Sequence, residues 1–119
     1  MMYDEGTGLV KLSTPNGKNS QMWVIEEDDE VGWHIGHKIR NVGANQYLAA
    51  EWNGQQVTVT PDKGTWDDNN TWIFPGRPQR DNEFITHIKS AVNGNLLANN
   101  GHFIVTDTNG QKWRFVIAD

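Results

Sequence analysis

Apolar residues come in short runs, rich in β-branched and aromatic types, separated by turn residues every eight to twelve positions. Helical periodicity is hard to find, so the pattern predicts an all-β protein. The strongest short hairpin signal, Asn-Gly, occurs five times: Asn16-Gly17, Asn53-Gly54, Asn93-Gly94, Asn100-Gly101 and Asn109-Gly110. Both residues tolerate positive φ, which tight hairpin turns require. Between these signals the pattern predicts strands at about Lys38–Val42, Gln46–Ala50, Gln56–Thr60 and Thr71–Phe74. A second set is expected at about Thr86–Ser90, Asn95–Ala98, Phe103–Thr106 and Lys112–Ile117.

The two sets are copies of one another. Ile39-Arg40-Asn41 aligns with Ile88-Lys89-Ser90, Tyr47-Leu48-Ala49 with Leu96-Leu97-Ala98, and Gly54-Gln55-Gln56-Val57 with Gly101-His102-Phe103-Ile104. A third, shorter copy lies at the start, where Gly6–Val10 matches the third strand of a unit and Gln21–Ile25 the fourth. Every copy closes on a tryptophan, at Trp23, Trp72 and Trp113, 49 and 41 residues apart. A period of this length signals one supersecondary unit repeated. Because four short strands cannot bury an apolar face alone, the three indoles are expected to share one core about a pseudo-threefold axis. The repeats run over about 1–30, 31–80 and 81–119 of a single domain.

Units of roughly forty residues with an Ile-x-Asn opening, a Tyr-Leu or Leu-Leu second strand and a closing Gln-x-Trp resemble the ricin-B-type (QxW) lectins, including the small fungal lectins. The resemblance implies a β-trefoil of three repeats, the first truncated at its opening strand. In that pattern the first and fourth strands of each unit form a six-stranded barrel, and the middle pairs form hairpins that cap it. It also implies non-catalytic binding of glycans or glycoproteins in shallow surface pockets, at most one per unit. Without an opening strand in the first unit, the edge beside Lys112–Ile117 is expected to be open, and bare edges invite pairing. Met1–Tyr3 could fill it, as could a second copy or partner chain, or the missing part of a longer protein.

Composition narrows the function classes. Hydrophobic content is 36%, but six Trp, four Phe and two Tyr carry much apolar area each, so a small core is feasible. There is no cysteine, which excludes disulfides, thiol catalysis and cysteine metal sites. A net charge of -5 with scattered basic residues argues against a nucleic-acid groove. No run reaches membrane-spanning length, and no partner membrane is expected. The acidic start, Met1-Met2-Tyr3-Asp4-Glu5, lacks a secretory signal and points to a cytoplasmic or non-classically secreted protein.

Sugar recognition needs an aromatic ring for the C–H face of a pyranose and rigid polar groups for its hydroxyls. Trp52 precedes the Asn53-Gly54 turn, and Trp66 lies in the polar loop 64–70. A carbohydrate pocket is therefore expected from Trp52, Trp66, Asp68 and Asn69 with Glu51. The bland alternative folds Trp66 back over the barrel end and leaves Trp52 to cap its hairpin. A second pocket could use Asn99, Asn100 and His102 with Phe103, against turn chemistry as the competing role. Ricin-type units commonly carry an Asp after the second strand and an aromatic at the end of the third. Here those neighbourhoods hold Ala49-Ala50-Glu51 and Thr60, then Ala98-Asn99-Asn100 and Thr106-Asp107.

Other chemistry is weaker. Glu26–Glu30 lacks the alternating ligands and central Gly of a calcium loop and reads as a solvated connector. His34 and His37 have no evident third ligand, so no metal or cofactor is expected. The three serines, Ser13, Ser20 and Ser90, sit in no nucleophile-elbow context, and no enzyme activity is expected. The rival reading is a protein-binding trefoil: an accessory subunit without sugar binding, or a protease inhibitor using Thr65–Asn70 or the connector 74–80 with Arg77 or Arg80.

Overall fold

Among the described residues the alternating runs form twelve strands, and each pairs with an antiparallel neighbour. The computed structural model describes residues 1–12, 16–31, 34–50, 56–61, 69–74, 83–101 and 103–116, with backbone alone at 27–31, 34–35, 83–85 and 114–116. In chain order the strands are β1 (Met2–Asp4), β2 (Leu9–Lys11), β3 (Trp23–Val31), β4 (His34–Asn41), β5 (Gln46–Ala50) and β6 (Val57–Thr60). They continue as β7 (Trp72–Ile73), β8 (Glu83–Thr86), β9 (Lys89–Ser90), β10 (Leu96–Asn99), β11 (Ile104–Asp107) and β12 (Trp113–Val116). One 3-10 turn, Asn19–Gln21, precedes β3, and the described residues contain no α-helix. The main sheet runs β1-β2-β6-β5-β4-β7-β9-β10-β11 with β3 added to β4, and β12 pairs with β8.

The repeat is visible in the hydrogen bonds. Trp72 Nε1 donates to the Leu48 carbonyl at 2.8 Å, Trp113 Nε1 to that of Leu97 at 3.1 Å, and Trp23 Nε1 to that of Met1 at 3.1 Å. Met1 therefore stands where Leu48 and Leu97 stand, in the second strand of a unit. The hairpin registers agree: Tyr3 faces Val10, Ala50 faces Val57 and Asn99 faces Ile104. The loops after β4 and β9 repeat as well, since Val42 N donates to Met22 O at 2.8 Å and Ala91 N to Thr71 O at 3.0 Å. Both turns need one left-handed residue, and Asn45 (φ 53°) and Gly94 (φ 73°) supply it at matching positions.

Between hairpins, three bridges close a ring. Leu9 pairs with Thr58, Gln56 with Val105, and Phe103 with Lys11. Val10, Val57 and Ile104, one from each hairpin, are buried together with Leu48, Leu97, Ile39, Ile88 and the fully buried Trp72. Trp23 and Trp113 are half-buried against this cluster. Burying such apolar surface contributes about 25 cal/mol per Å².

Some elements depart from the pattern read along the chain. The acidic run expected as a solvated connector is strand: β3 continues through it on β4, with a bulge between Glu27 and Glu30. Glu26, Glu27 and Glu30 pair with Lys38, His37 and Ile35, and Arg40 Nε donates to Glu26 Oε1 at 3.0 Å. The strand expected at Thr86–Ser90 is two strands, because its first part pairs with β12 and its last residues with β7 and β10. One segment serving different ladders must bend, and it does so at His87-Ile88. Among the described residues β1 pairs with β2 and β12 with β8, so Met1–Tyr3 is a hairpin strand and does not line the second side of β12.

Candidate functional site

The β1–β2 turn is built on one carboxylate. Asp4 Oδ1 accepts from Gly6 N at 3.0 Å, and Oδ2 accepts from the Thr7 hydroxyl at 3.1 Å. The Asp4 carbonyl accepts from Thr7 N at 3.3 Å and Gly8 N at 2.8 Å, and Thr7 Oγ1 in turn accepts from Leu9 N at 3.3 Å. Lys11 Nζ reaches the same carboxylate, 3.2 Å from Oδ2. The Gly6 amide first, then Lys11 and Thr7, hold the Asp4 carboxyl below its ordinary value of 3.8, so it stays ionised.

Lys11 is bridged across the ring to Phe103, and residues directly opposite in an antiparallel pair project to the same face. The loop that presents Phe103 is built by two asparagines. Asn99 Oδ1 accepts from Gly101 N at 3.3 Å, Asn100 Oδ1 from Phe103 N at 2.9 Å, and Asn100 N donates to Phe103 O at 3.1 Å. Gln111 Oε1 holds the base of the loop by accepting from Asn99 N at 3.1 Å.

The turn and the loop enclose an open cleft of ≈ 590 Å³ lined by Asp4, Thr7, Lys11, Leu12 and Phe103, with Met2 at its side. Phe103 is 37% exposed and Leu12 39%. Large apolar side chains at the surface are informative when they meet at one place. Among the described residues only Val24 is comparably exposed, so two of three lie on this cleft. The ion pair leaves it without net charge. An ammonium has three N–H donors, and Asp4 takes one from Lys11. Asp4 itself accepts from three donors, so its main role is to fix the turn and Lys11.

Of the residues expected to bind sugar, Glu51, Trp52, Trp66, Asp68 and His102 lie outside the described residues. Asn69 links the end of β5 to the approach to β7: its Nδ2 donates to Ala50 O at 2.9 Å, and its carbonyl accepts from Ala50 N at 2.9 Å. Asn99 and Asn100 shape the Phe103 loop. Asp4, Thr7, Lys11 and Leu12 escaped the sequence reading. A signal existed, since Asp4 precedes Val10 by the same interval as Glu51 precedes Val57. His37 stacks on Phe74, ring centroids 4.4 Å apart, and among the described residues no three His, Asp or Glu side chains group as metal ligands.

No protein-family model and no curated protein matches the sequence. Among solved structures, the chain is similar to SeviL bound to the asialo-GM1 saccharide, with a TM-score of 0.71 at 20% identity. The match covers 98% of this chain and 87% of that one. The fold is lectin-like. At this identity the likeness concerns architecture, and a fold by itself does not fix a function.

Proposed function

We propose that this protein is a non-catalytic lectin, a β-trefoil of three QxW-type repeats that binds glycans or glycoproteins. The observation that carries the reading is the threefold arrangement of indole bonds and hairpin bridges in a fold shared with a lectin solved with its saccharide. The Gln-x-Trp motifs support it. Gln21 and Gln111 each accept a backbone N–H, from Asn16 at 2.7 Å and Asn99 at 3.1 Å. In the second unit the shorter Asn70 takes that place, and its Oδ1 accepts from the buried Lys38 ammonium at 2.6 Å.

In this reading Trp52 and Trp66, with Glu51, Asp68 and Asn69, form a sugar-facing pocket in the second unit. No catalytic step is assigned. A glycan array followed by isothermal titration of the hits tests the proposal. Saturable binding to at least one glycan is expected, and an array without hits overturns it. The protease-inhibitor reading rests on loops that, apart from Asn69, Asn70 and Phe74, lie outside the described residues, and no observation favours it.

A further inference from the structure

The five Asn-Gly pairs that shape the turns are also chemically labile. A glycine has no side chain to shield its amide nitrogen, and its backbone can swing that nitrogen onto the carboxamide carbon of the preceding Asn. Whether the two groups meet depends on how firmly each is held. Asn53-Gly54 lies outside the described residues, and the other four pairs differ in this respect. At Asn93-Gly94 both groups are held: Asn93 Oδ1 accepts from Asn95 N at 2.8 Å, and Gly94 N donates to Ser90 O at 2.9 Å. The same holds at Asn100-Gly101, where Asn100 Oδ1 accepts from Phe103 N at 2.9 Å and Gly101 N donates to Asn99 Oδ1 at 3.3 Å. At Asn16-Gly17 only the carboxamide is held, its Oδ1 accepting from Lys18 N at 2.8 Å. At Asn109-Gly110 neither the carboxamide nor the glycine amide makes a hydrogen bond among the described residues, and Asn109 is exposed. Gly110 is fixed by what lies beneath it: a Cβ there would sit 2.5 Å from Leu96 Cβ and 2.7 Å from Leu97 O, so a bulkier residue that would slow the reaction does not fit.

We propose that Asn109 is a site of spontaneous covalent modification, converted to aspartate and isoaspartate through a cyclic imide formed with Gly110. Gly110 N gives its proton to a base in the solvent and attacks Asn109 Cγ. The N–Cγ bond forms, the Cγ–Nδ2 bond breaks, and Nδ2 leaves as ammonia. One water then opens the imide. Cleavage of the new N–Cγ bond leaves aspartate, whereas cleavage of the original peptide bond routes the main chain through Cγ and lengthens it by a methylene, which is isoaspartate. Either product places a second carboxylate near Asp107, whose Oδ1 accepts from Thr108 N at 2.7 Å. The isoaspartate does more, because both ends of this loop are pinned to β10. Asp107 pairs with Leu96, Gln111 Oε1 accepts from Asn99 N at 3.1 Å, and Trp113 Nε1 donates to Leu97 O at 3.1 Å. A longer main chain between these anchors strains the closing motif of the third repeat. The inference is independent of the lectin reading.

Ageing the full chain in mildly alkaline buffer at physiological temperature tests this, with the Asn-Gly peptides quantified by electron-transfer mass spectrometry, which separates aspartate from isoaspartate. Asn109 is expected to react at least about fivefold faster than Asn16 and at least about tenfold faster than Asn93 and Asn100, since each hydrogen bond that must open first lowers the reactive population. In urea, where those bonds are gone, the four rates should converge. Asn109→Gln, which would have to close a larger ring, should stop modification of that peptide and leave the melting temperature unchanged. The purified isoaspartate form should melt below freshly prepared Asn109→Asp, which carries the charge without the added methylene. Native rates at Asn93 or Asn100 equal to that at Asn109 overturn the proposal. So does aspartate without isoaspartate, which marks direct hydrolysis by water in place of attack by Gly110. An isoaspartate form as stable as Asn109→Asp overturns the strain on the closing motif.

Discussion

Trp72→Phe is expected to destabilise the protein about 2–4 kcal/mol, more than the same change at Trp23 or Trp113. All three indoles donate to equivalent carbonyls, but Trp72 is fully buried and the others are half-buried. Phenylalanine has no N–H, so the Leu48 carbonyl would lose its indole donor at a site closed to water, costing about 1–3 kcal/mol. The smaller ring leaves a void of roughly 40 Å³, which at about 24 cal/mol per Å³ adds about 1 kcal/mol. At Trp113 the acceptor Leu97 is buried too, yet the half-exposed ring gives water a path to its carbonyl. There, and at Trp23, a loss of about 1 kcal/mol is expected. For a chain of this size each kcal/mol lowers the melting temperature by roughly 4 °C, so the expected drops are about 8–16 °C and about 4 °C. Thermal melts followed by far-UV circular dichroism, with urea titrations for the free energies, provide the measurement. Equal losses at the three positions would refute the reasoning, since the bonds are alike and only burial distinguishes them.

Other outcomes follow from single contacts. Gly110→Ala places a Cβ 2.5 Å from Leu96 Cβ and 2.7 Å from Leu97 O, so about 1–3 kcal/mol of overpacking is expected in urea melts. Gly8→Ala meets no atom within 4 Å and should cost only the left-handed backbone, about 1 kcal/mol. Thr106 is fully exposed to neither water nor a hydrogen-bond partner, so Thr106→Val should stabilise the fold by roughly 1 kcal/mol, and a loss of stability would show that the hydroxyl is used. The depressed Asp4 carboxyl contributes stability that is present above its ordinary value of 3.8 and fades as the pH falls through its lower folded value. An NMR titration of its carboxyl carbon should give a midpoint below 3.8, and the Asp4→Asn penalty should vanish in acid.

Much of the architecture was legible because local rules and tertiary demands agree. Gln46–Ala50 forms the strand its alternation and flanking turns predict, and the tryptophans of the repeat take equivalent bonds. Legibility failed where pairing partners decide. The bend at His87-Ile88 comes from two ladders competing for one segment, and the acidic run is strand because β4 offers it a partner. The expected sugar residues were chosen by surplus tryptophan in polar loops, a signal of composition. The cleft needs Asp4 to be recognised as the end of a second strand, and it needs Lys11 beside Phe103. A bridge between residues 92 positions apart leaves no local mark.

That separation has a consequence for folding. Each hairpin closes over a few residues and can form early, whereas Leu9 with Thr58, Gln56 with Val105 and Lys11 with Phe103 join distant parts of the chain and carry large loop-closure entropy. The ring is therefore expected to close late, and the cleft to exist only once the whole chain has folded. A ligand held there would bind the native state alone, adding about 2.7 kcal/mol at a hundredfold excess over its dissociation constant. It would act as a clasp between the two ends of the chain, slowing global opening while leaving fraying of the individual hairpins untouched.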